Sequence, residues 1–239
     1  MQKVKLLAIC GSPRPTGNSR YLLDQAVEEA LTIGADYVEA EVFSIAKKTY
    51  APCTSCFQCA TVGDCIIEDD FQELRDKWAA ADAVIYSMPV YHMAVPGQLK
   101  CFIDRLGNSL WAYYGGVTSK SLKVIGCIVQ GSHIFAGQEH TITQIVNHAL
   151  VMGCLPISGD TWESYTGGAG WTANSAKKDA IRKLCEGEDY DAQVALKATR
   201  SVGRRVVQAA LLVKTGGEVH RELLEADGGY STFLRRVEG

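Results

Sequence analysis

The chain has 239 residues, a hydrophobic share of 47% and a formal net charge of −3, the size and balance of one well-cored α/β unit or of one domain with an appendage. That charge gives no electrostatic case for nucleic acid or an anionic membrane surface. No apolar run approaches the roughly 20 residues that a bilayer-spanning helix needs. Nine cysteines, behind a Met1-Gln2-Lys3-Val4-Lys5 start that runs into a strand-like segment without a secretory pattern, point to a reducing cytoplasm.

Val4–Cys10 is a short apolar run closed by Gly11, the mark of a buried strand. Gly11-Ser12-Pro13-Arg14-Pro15-Thr16-Gly17-Asn18-Ser19 follows, and then Leu23, Ala26, Val27, Ala30 and Leu31 recur at helical spacing. A strand, a small-residue loop and a helix start make an anion site, because unpaired backbone N–H groups and the helix dipole face the loop. The loop lacks the Lys-Ser/Thr of a nucleoside-triphosphate loop, and the chain has no G-x-G-x-x-G for a Rossmann-bound dinucleotide. Hydroxyls of Ser12, Thr16 and Ser19, with Asn18 and Arg14, suit a terminal phosphate monoester. An ordinary strand-to-helix turn has the same composition, and the loop alone does not choose between the two.

Asp36–Ser44 alternates as a half-exposed strand at or near a sheet edge does. Cys53, Cys56, Cys59 and Cys65 come next, spaced C-x2-C-x2-C-x5-C. Thiolates this close can wrap one compact centre, and they select an iron-sulfur cluster, zinc or Cu(I). Structural zinc usually draws on separated C-x2-C pairs, whereas cluster motifs crowd their cysteines into one turn, so the spacing sides with a cluster. Reduced surface thiols or a redox-active pair are the readings that need no metal. Cys10, Cys101, Cys127, Cys154 and Cys185 are scattered and read as buried small hydrophobes.

Asp69 or Asp70 caps a helix with Phe71, Leu74, Trp78 and Ala81 on one face. Ala83–Met88 is a third strand, running into Pro89-Val90-Tyr91-His92-Met93-Ala94-Val95-Pro96-Gly97 and a helix with Leu99, Phe102, Ile103 and Leu106 inward. Leu122–Val129 is a fourth strand, followed by Gln130–Gln138 and a helix carrying Ile142, Ile145, Val146, Ala149 and Leu150; Leu155–Ile157 begins a fifth. This alternation predicts an α/β fold, a doubly wound five-stranded parallel sheet with helices on both faces. Loops that follow parallel strands emerge at the carboxyl edge, which would place the first loop, the cysteine loop, Pro89–Pro96 and Gln130–Gly137 side by side.

Thr166-Gly167-Gly168-Ala169-Gly170-Trp171 reads as a linker. It would join a domain of residues 1–165, with the cysteine loop (50–68) inserted, to a helical C-terminal extension, 166–239, packed on that domain or on a partner subunit. Asp189 caps a helix there that runs to about Lys214, with an apolar face of Val206, Val207, Ala210 and Leu211. The tail from His220 to Gly239 reads as peripheral or as part of an oligomer contact. His92 can donate a hydrogen bond or a proton, but one histidine without a partner in view favours a loop or packing role, as for His133 and His140. Asp104-Arg105 reads as a helix-end or interface ion pair, and no hydrolytic Ser-His-Asp or metalloprotease pattern occurs.

Gly11-Ser12-Pro13-Arg14 to Asn18-Ser19, Met88-Pro89-Val90-Tyr91, Pro96-Gly97-Gln98-Leu99-Lys100 and Phe102-Ile103-Asp104-Arg105 together resemble the NADPH-dependent FMN reductase family, over roughly residues 4–160. The cysteine spacing followed by Asp69-Asp70 is similar to the iron-sulfur flavoprotein branch of that family. The resemblance implies a flavodoxin-like fold and an FMN-dependent oxidoreductase. It implies that Ser12, Arg14, Asn18 and Ser19, with Thr16 beside them, hold the FMN phosphate. Pro89, Val90, Tyr91 and His92 would line the flavin ring, and Gly131, Ser132 and Gly137 would close its other side, with Tyr165 and Trp171 in reach of it. Cys53, Cys56, Cys59 and Cys65 would hold a 4Fe-4S cluster that exchanges electrons with FMN. The donor would be ferredoxin or NAD(P)H, and the assembly a homodimer or homotetramer. His92-Met93-Ala94-Val95 departs from the smaller or hydroxylated residues common in relatives. Two other functions fit these residues, a cluster-free NAD(P)H-dependent FMN or quinone reductase and a non-enzymatic electron carrier or redox sensor.

Overall fold

Strand β1 (Val4–Cys10) buries every residue but Lys5, as a central parallel strand must. The computed structural model describes residues 3–116 and 119–238, so Met1 and Gln2 of the expected run-in and Gly239 of the tail lie outside the described residues. β1 pairs with β2 (Val38–Ser44) in the register Val4 to Val38, and with β3 (Ala83–Pro89) in the register Leu6 to Ala83. β3 pairs in turn with β4 (Val124–Gly131), all four strands being parallel. β2 is the half-exposed edge that its alternation predicts.

The far edge departs from the five-strand expectation. Two short strands follow one another along β4: β5 (Leu155–Pro156) opposite Val124 and Ile125, and β6 (Gly168–Trp171) opposite Ile128 to Gly131. The described residues therefore form a six-stranded sheet, and the stretch expected as a linker is part of it. Its glycines serve close approach. A Cβ on Gly168 would lie 3.2 Å from the Cα of Thr199, and one on Gly170 would lie 3.1 Å from the Cβ of Ala195. Glycine lets a helix backbone settle on the strand at positions where propensity alone argues against a strand.

Helices cover both faces. One face carries α3 (Phe71–Ala80), α4 (Gly97–Tyr113) and α5 (Gln138–Val151), with the short α2 (Gln58–Val62) lying in the cysteine loop. The other carries α1 (Asn18–Gly34), α6 (Ala180–Glu186) and α7 (Tyr190–Val219); α8 (Arg221–Glu225) and α9 (Ser231–Glu238) end the chain. α7 starts where expected, with the Asp189 carboxylate accepting from the Ala192 N–H at 3.0 Å. It packs on its own chain: Leu196, Val202, Val206 and Val207 share one buried cluster with Leu6, Ala8, Leu22, Leu23 and Ala26. At the crossing of α1 and α7 a Cβ on Gly203 would overlap the carbonyl oxygen of Ala26.

On the α3–α5 face the Trp78 indole N–H donates to the Tyr86 hydroxyl at 2.9 Å, and that hydroxyl lies 3.2 Å from Nε2 of His148. The hydroxyl, which accepts from Trp78, keeps its own proton to give to Nε2 of a neutral imidazole in the tautomer protonated at Nδ1. Burial pushes the His148 pKa down to about 4. An unfolded chain takes up this proton near pH ~6.5, so as pH falls the unfolded state protonates first. The share of stability that His148 carries is expected to be constant above pH ~6.5 and to drop by about 3 kcal/mol on the way to pH ~4. His148→Gln keeps an acceptor without the titration and should remove this slope in urea unfolding followed against pH. An unchanged slope would place its origin elsewhere.

Candidate functional site

α1 begins at Asn18 after Gly17 (φ 152°), with no side chain capping it and no acidic residue in its first turn. Its first N–H groups are left for a ligand, and the helix dipole favours an anion there. Ser12, Arg14, Asn18 and Ser19 line a cavity at this point together with Pro89, Val90, Tyr91 and Ser132, so three loops expected at the carboxyl edge meet in one place. Arg14 is the cationic residue of that lining, while Thr16 is exposed and outside it. The Asn18 side chain has a different task from the one expected. Its amide donates to the Lys177 carbonyl and its oxygen accepts from the Ile181 N–H, each at 3.0 Å, which ties the C-terminal third to the loop.

The fourth wall of this cavity was not legible in the sequence. Beyond β6 the Thr172 N–H donates to the Gly131 carbonyl at 3.0 Å and the Asn174 N–H to the Ser132 carbonyl at 2.9 Å. This clip brings Thr172, Ser175 and Ala176 to the lining beside Gln130. Thr172-Ala173-Asn174-Ser175 has the hydroxyl-rich composition that flagged the first loop. Without β6 recognised, there was no strand end to hang it on.

A second, open cavity of about 550 Å³ lies at the same edge, lined by Met93, Phe135, Gly137, Gln138, His140 and Trp171 among others. Its rim is apolar and wet, since Met93 is 56% and Phe135 91% exposed. Tyr91 and Ala94 exchange backbone hydrogen bonds of 3.0 Å across a two-residue turn in which His92 (φ 48°) and Met93 (φ 60°) are both left-handed. Such turns normally recruit Asn and Gly, so two larger residues here store strain at the site. Gly137 makes room for the turn, because a Cβ on it would fall 2.7 Å from the Cα of Met93. Gly131 lies under the following loop, where a Cβ would meet that of Ala136 at 2.6 Å. His92 is exposed and lines neither cavity. Trp171 reaches the second cavity; Tyr165 instead stands against Trp162, ring centroids 6.0 Å apart, in the excursion between β5 and β6.

The cysteine loop leaves the edge where these cavities lie. Arg105 of α4 donates through Nη1 to both Asp69 carboxylate oxygens, at 2.9 and 2.7 Å, and through Nη2 to the Ile67 carbonyl at 2.7 Å. Asp69 also accepts from the Ala51 N–H at 2.8 Å and from the Phe71 N–H at 2.9 Å, and so caps α3 from the position before the formal cap. Burial opposes the Asp69 charge, but the N–H groups of Ala51 and Arg105 outweigh it and hold the carboxyl below its ordinary range. The guanidinium lies 4.2 Å from the centroid of the Phe71 ring. A single ion pair, 1% and 7% exposed, thus clasps both ends of the loop at Ala51 and Ile67. Arg105 sits two turns into α4, about 12 Å from Gly97 at ~1.5 Å per residue. The clasp therefore draws the thiols down the flank of α4, which corrects the expectation of a single shared edge. It also corrects the pairing of Asp104 with Arg105, because Asp104 pairs with Lys100 one turn back.

Cys53, Cys56, Cys59 and Cys65 line one cavity, with Phe57, Ile66 and Ile67 on its apolar side and Arg105, Asn108 and Ser109 of α4 behind. Left-handed Ser55, Phe57 and Gly63 bend the backbone round it. Cys53 and Cys56 are exposed, Cys59 and Cys65 half-buried. Hydrogen bonding from the Gln58 backbone, then from Thr54, lowers the Cys56 thiol. Arg105 Nε and Ser109 Oγ are buried without a hydrogen-bond partner. An orphaned buried donor costs about 1–3 kcal/mol, and two of them, on residues that wall a four-thiol cavity, fit an anionic, sulfur-rich guest. Among the described residues no three His, Cys, Asp or Glu side chains converge as a single ion would require. Of the other cysteines, Cys10, Cys127, Cys154 and Cys185 are buried as expected and Cys101 is half-buried.

The sheet order and the anion-ready helix start at its carboxyl edge define a flavodoxin-like protein. Residues 4–163 match the NADPH-dependent FMN reductase family. An iron-sulfur flavoprotein of Methanocaldococcus jannaschii is 32% identical over 216 residues, 88% of this chain and 100% of that protein. One of Methanosarcina thermophila is 32% identical over 77% of this chain and 94% of its own length. Among solved structures, RosB with bound 8-demethyl-8-formylriboflavin-5'-phosphate covers 94% of this chain and 88% of its own at TM-score 0.65 and 16% identity. The NAD(P)H:quinone oxidoreductase of Methanothermobacter marburgensis covers 84% and 98% at TM-score 0.53 and 14% identity. At these identities the structural likeness concerns the fold. The chain belongs to the NADPH-dependent FMN reductase family, in its iron-sulfur flavoprotein branch, and is an FMN-dependent oxidoreductase. Among the described residues no helix is long and apolar enough to cross a membrane.

Proposed function

We propose that Cys53, Cys56, Cys59 and Cys65 hold a 4Fe-4S cluster, that the cavity at the start of α1 holds FMN, and that the chain passes electrons between the two centres and on to an acceptor. The observation that carries this reading is the four-thiol cavity walled by unpaired donors. The names of the Methanocaldococcus and Methanosarcina relatives support it. When bound, the cluster supplies one-electron exchange and the flavin stores two electrons.

The chain's residues bind and orient. The first N–H groups of α1, the hydroxyls of Ser12 and Ser19, and Arg14 receive the phosphate, and Thr172 and Ser175 close the pocket over it. Pro89, Val90, Tyr91 and Ser132 flank the way to the ring, and the strained Tyr91–Ala94 turn with Gly137 fixes the rim of the second cavity. That cavity, open and apolar, is where a small acceptor or a nicotinamide would approach. Exposed Cys53, Cys56 and Phe57 leave the thiol loop open to a protein donor such as ferredoxin. A homodimer or homotetramer would cover the groove between α4 and α5, where Trp111 and Val151 stand in water. A cluster-free NAD(P)H-dependent FMN or quinone reductase is the second reading, favoured by the size of the second cavity.

Cys56→Ser tests the ligand assignment. In protein purified without oxygen this variant should lose most of its iron and keep its FMN. Iron content equal to that of the parent would remove Cys56 from the ligand set.

A further inference from the structure

Arg105 and Ser109 are one turn apart on α4, on the same face of the helix. They are 2% and 1% exposed, and both line the cavity that the cysteines surround. The Nη atoms of Arg105 are committed to Asp69, Ile67 and Ala51, but its Nε has no hydrogen-bond partner, and neither has the Ser109 hydroxyl. Buried donors without a partner are uncommon in native proteins, and both belong to residues that form one wall of this cavity. Thiolate and sulfide sulfurs are acceptors of the required charge.

We infer that Arg105 Nε–H and Ser109 Oγ–H donate hydrogen bonds to sulfur atoms of the cluster and so act as positioning residues that set its reduction potential. The inference rests on the cluster reading proposed above. Donors aimed at cluster sulfurs draw electron density from them and favour the reduced, more negative state, which raises the potential. The apolar side of the cavity, with Ile66 and Ile67, lowers the local dielectric and strengthens each such bond. The charge of Arg105 is balanced by Asp69, so its contribution here is a directed N–H rather than a net positive field.

Ser109→Ala is the informative variant, because it deletes the hydroxyl and no contact that the fold uses. With the full chain purified without oxygen, iron per chain is expected to equal that of the parent and the midpoint potential of the cluster to become more negative. An equal iron content with an unchanged potential would overturn the serine donor. For arginine, pulsed EPR of the reduced cluster in protein made with 15N-arginine should show one weakly coupled nitrogen, and no coupling would overturn that donor. A parent protein with FMN but no iron would overturn the cluster reading itself and this inference with it, an outcome distinct from both others.

Discussion

Replacing Arg105 with methionine is expected to lower stability by about 3–5 kcal/mol and to strip the chain of iron while leaving FMN in place. Methionine fills much of the same space, so the loss is electrostatic rather than a cavity. Asp69 is left as a carboxylate that is 7% exposed with no counter-charge. The carbonyl of Ile67 loses one of its two donors in the same step, and with it the hydrogen bond that ties that end of the cysteine segment to α4. Gln72 still donates to the carbonyls of Cys65 and Ile67, at 3.1 and 3.0 Å, so the loop loosens without leaving the surface. Loosened thiols lose the pre-organisation that a cluster needs. The FMN-type cavity shares no lining residue with the thiol cavity, which is why flavin content should hold. Urea unfolding and iron analysis check both halves. A variant that unfolds with the parent and keeps its iron would show that the clasp does not organise the loop.

Ending the chain after residue 165, where the sequence suggested a domain boundary, is expected to abolish folding. The shortened chain lacks β6, α6 and α7, and with them Leu196, Val202, Val206 and Val207 from the cluster that covers Leu6, Ala8, Leu22 and Leu23. Full burial of one such side chain is worth about 1.5–3 kcal/mol, so the four together rival the ~5–15 kcal/mol by which a whole domain is stable. β4 would also present Ile128 to Gly131 as an unpaired edge. The Thr172–Ala176 wall of the anion cavity would go too, together with the anchor points of Asn18 at Lys177 and Ile181. Circular dichroism should show no cooperative thermal transition. A soluble fragment that melts cooperatively and binds FMN would contradict this account of the C-terminal third.

Period and punctuation made the first four strands legible. Val4–Cys10 and the third and fourth strands are apolar runs ended by loop formers, and the structure shows them as the buried middle of the sheet. The first loop had the composition of an anion site and of an ordinary turn alike, and the uncapped start of α1 beside Ser12 and Arg14 is what favours the anion site. β6 was not. Gly168 and Gly170 have no strand propensity of their own, and the reason for them, the backbone of α7 passing over the strand at Thr199 and Ala195, lies far off in the sequence. The family match, residues 4–163, stops short of β6 and α7 as well. Arg105 was misread because adjacent residues on a helix point apart. Asp104 could not reach it, whereas Asp69 was brought there by the fold. The cysteine spacing was legible as four thiols gathered round one centre, and the four line one cavity. Its distance from the anion cavity was fixed by that buried pair, which no local pattern encodes.

The most direct test of the account is the content of iron, acid-labile sulfide and FMN per chain in protein purified without oxygen. The account predicts about four iron and four sulfide with one FMN. FMN without iron or sulfide would contradict it, leave Cys53, Cys56, Cys59 and Cys65 as thiols, and put NAD(P)H-driven reduction at the second cavity in its place.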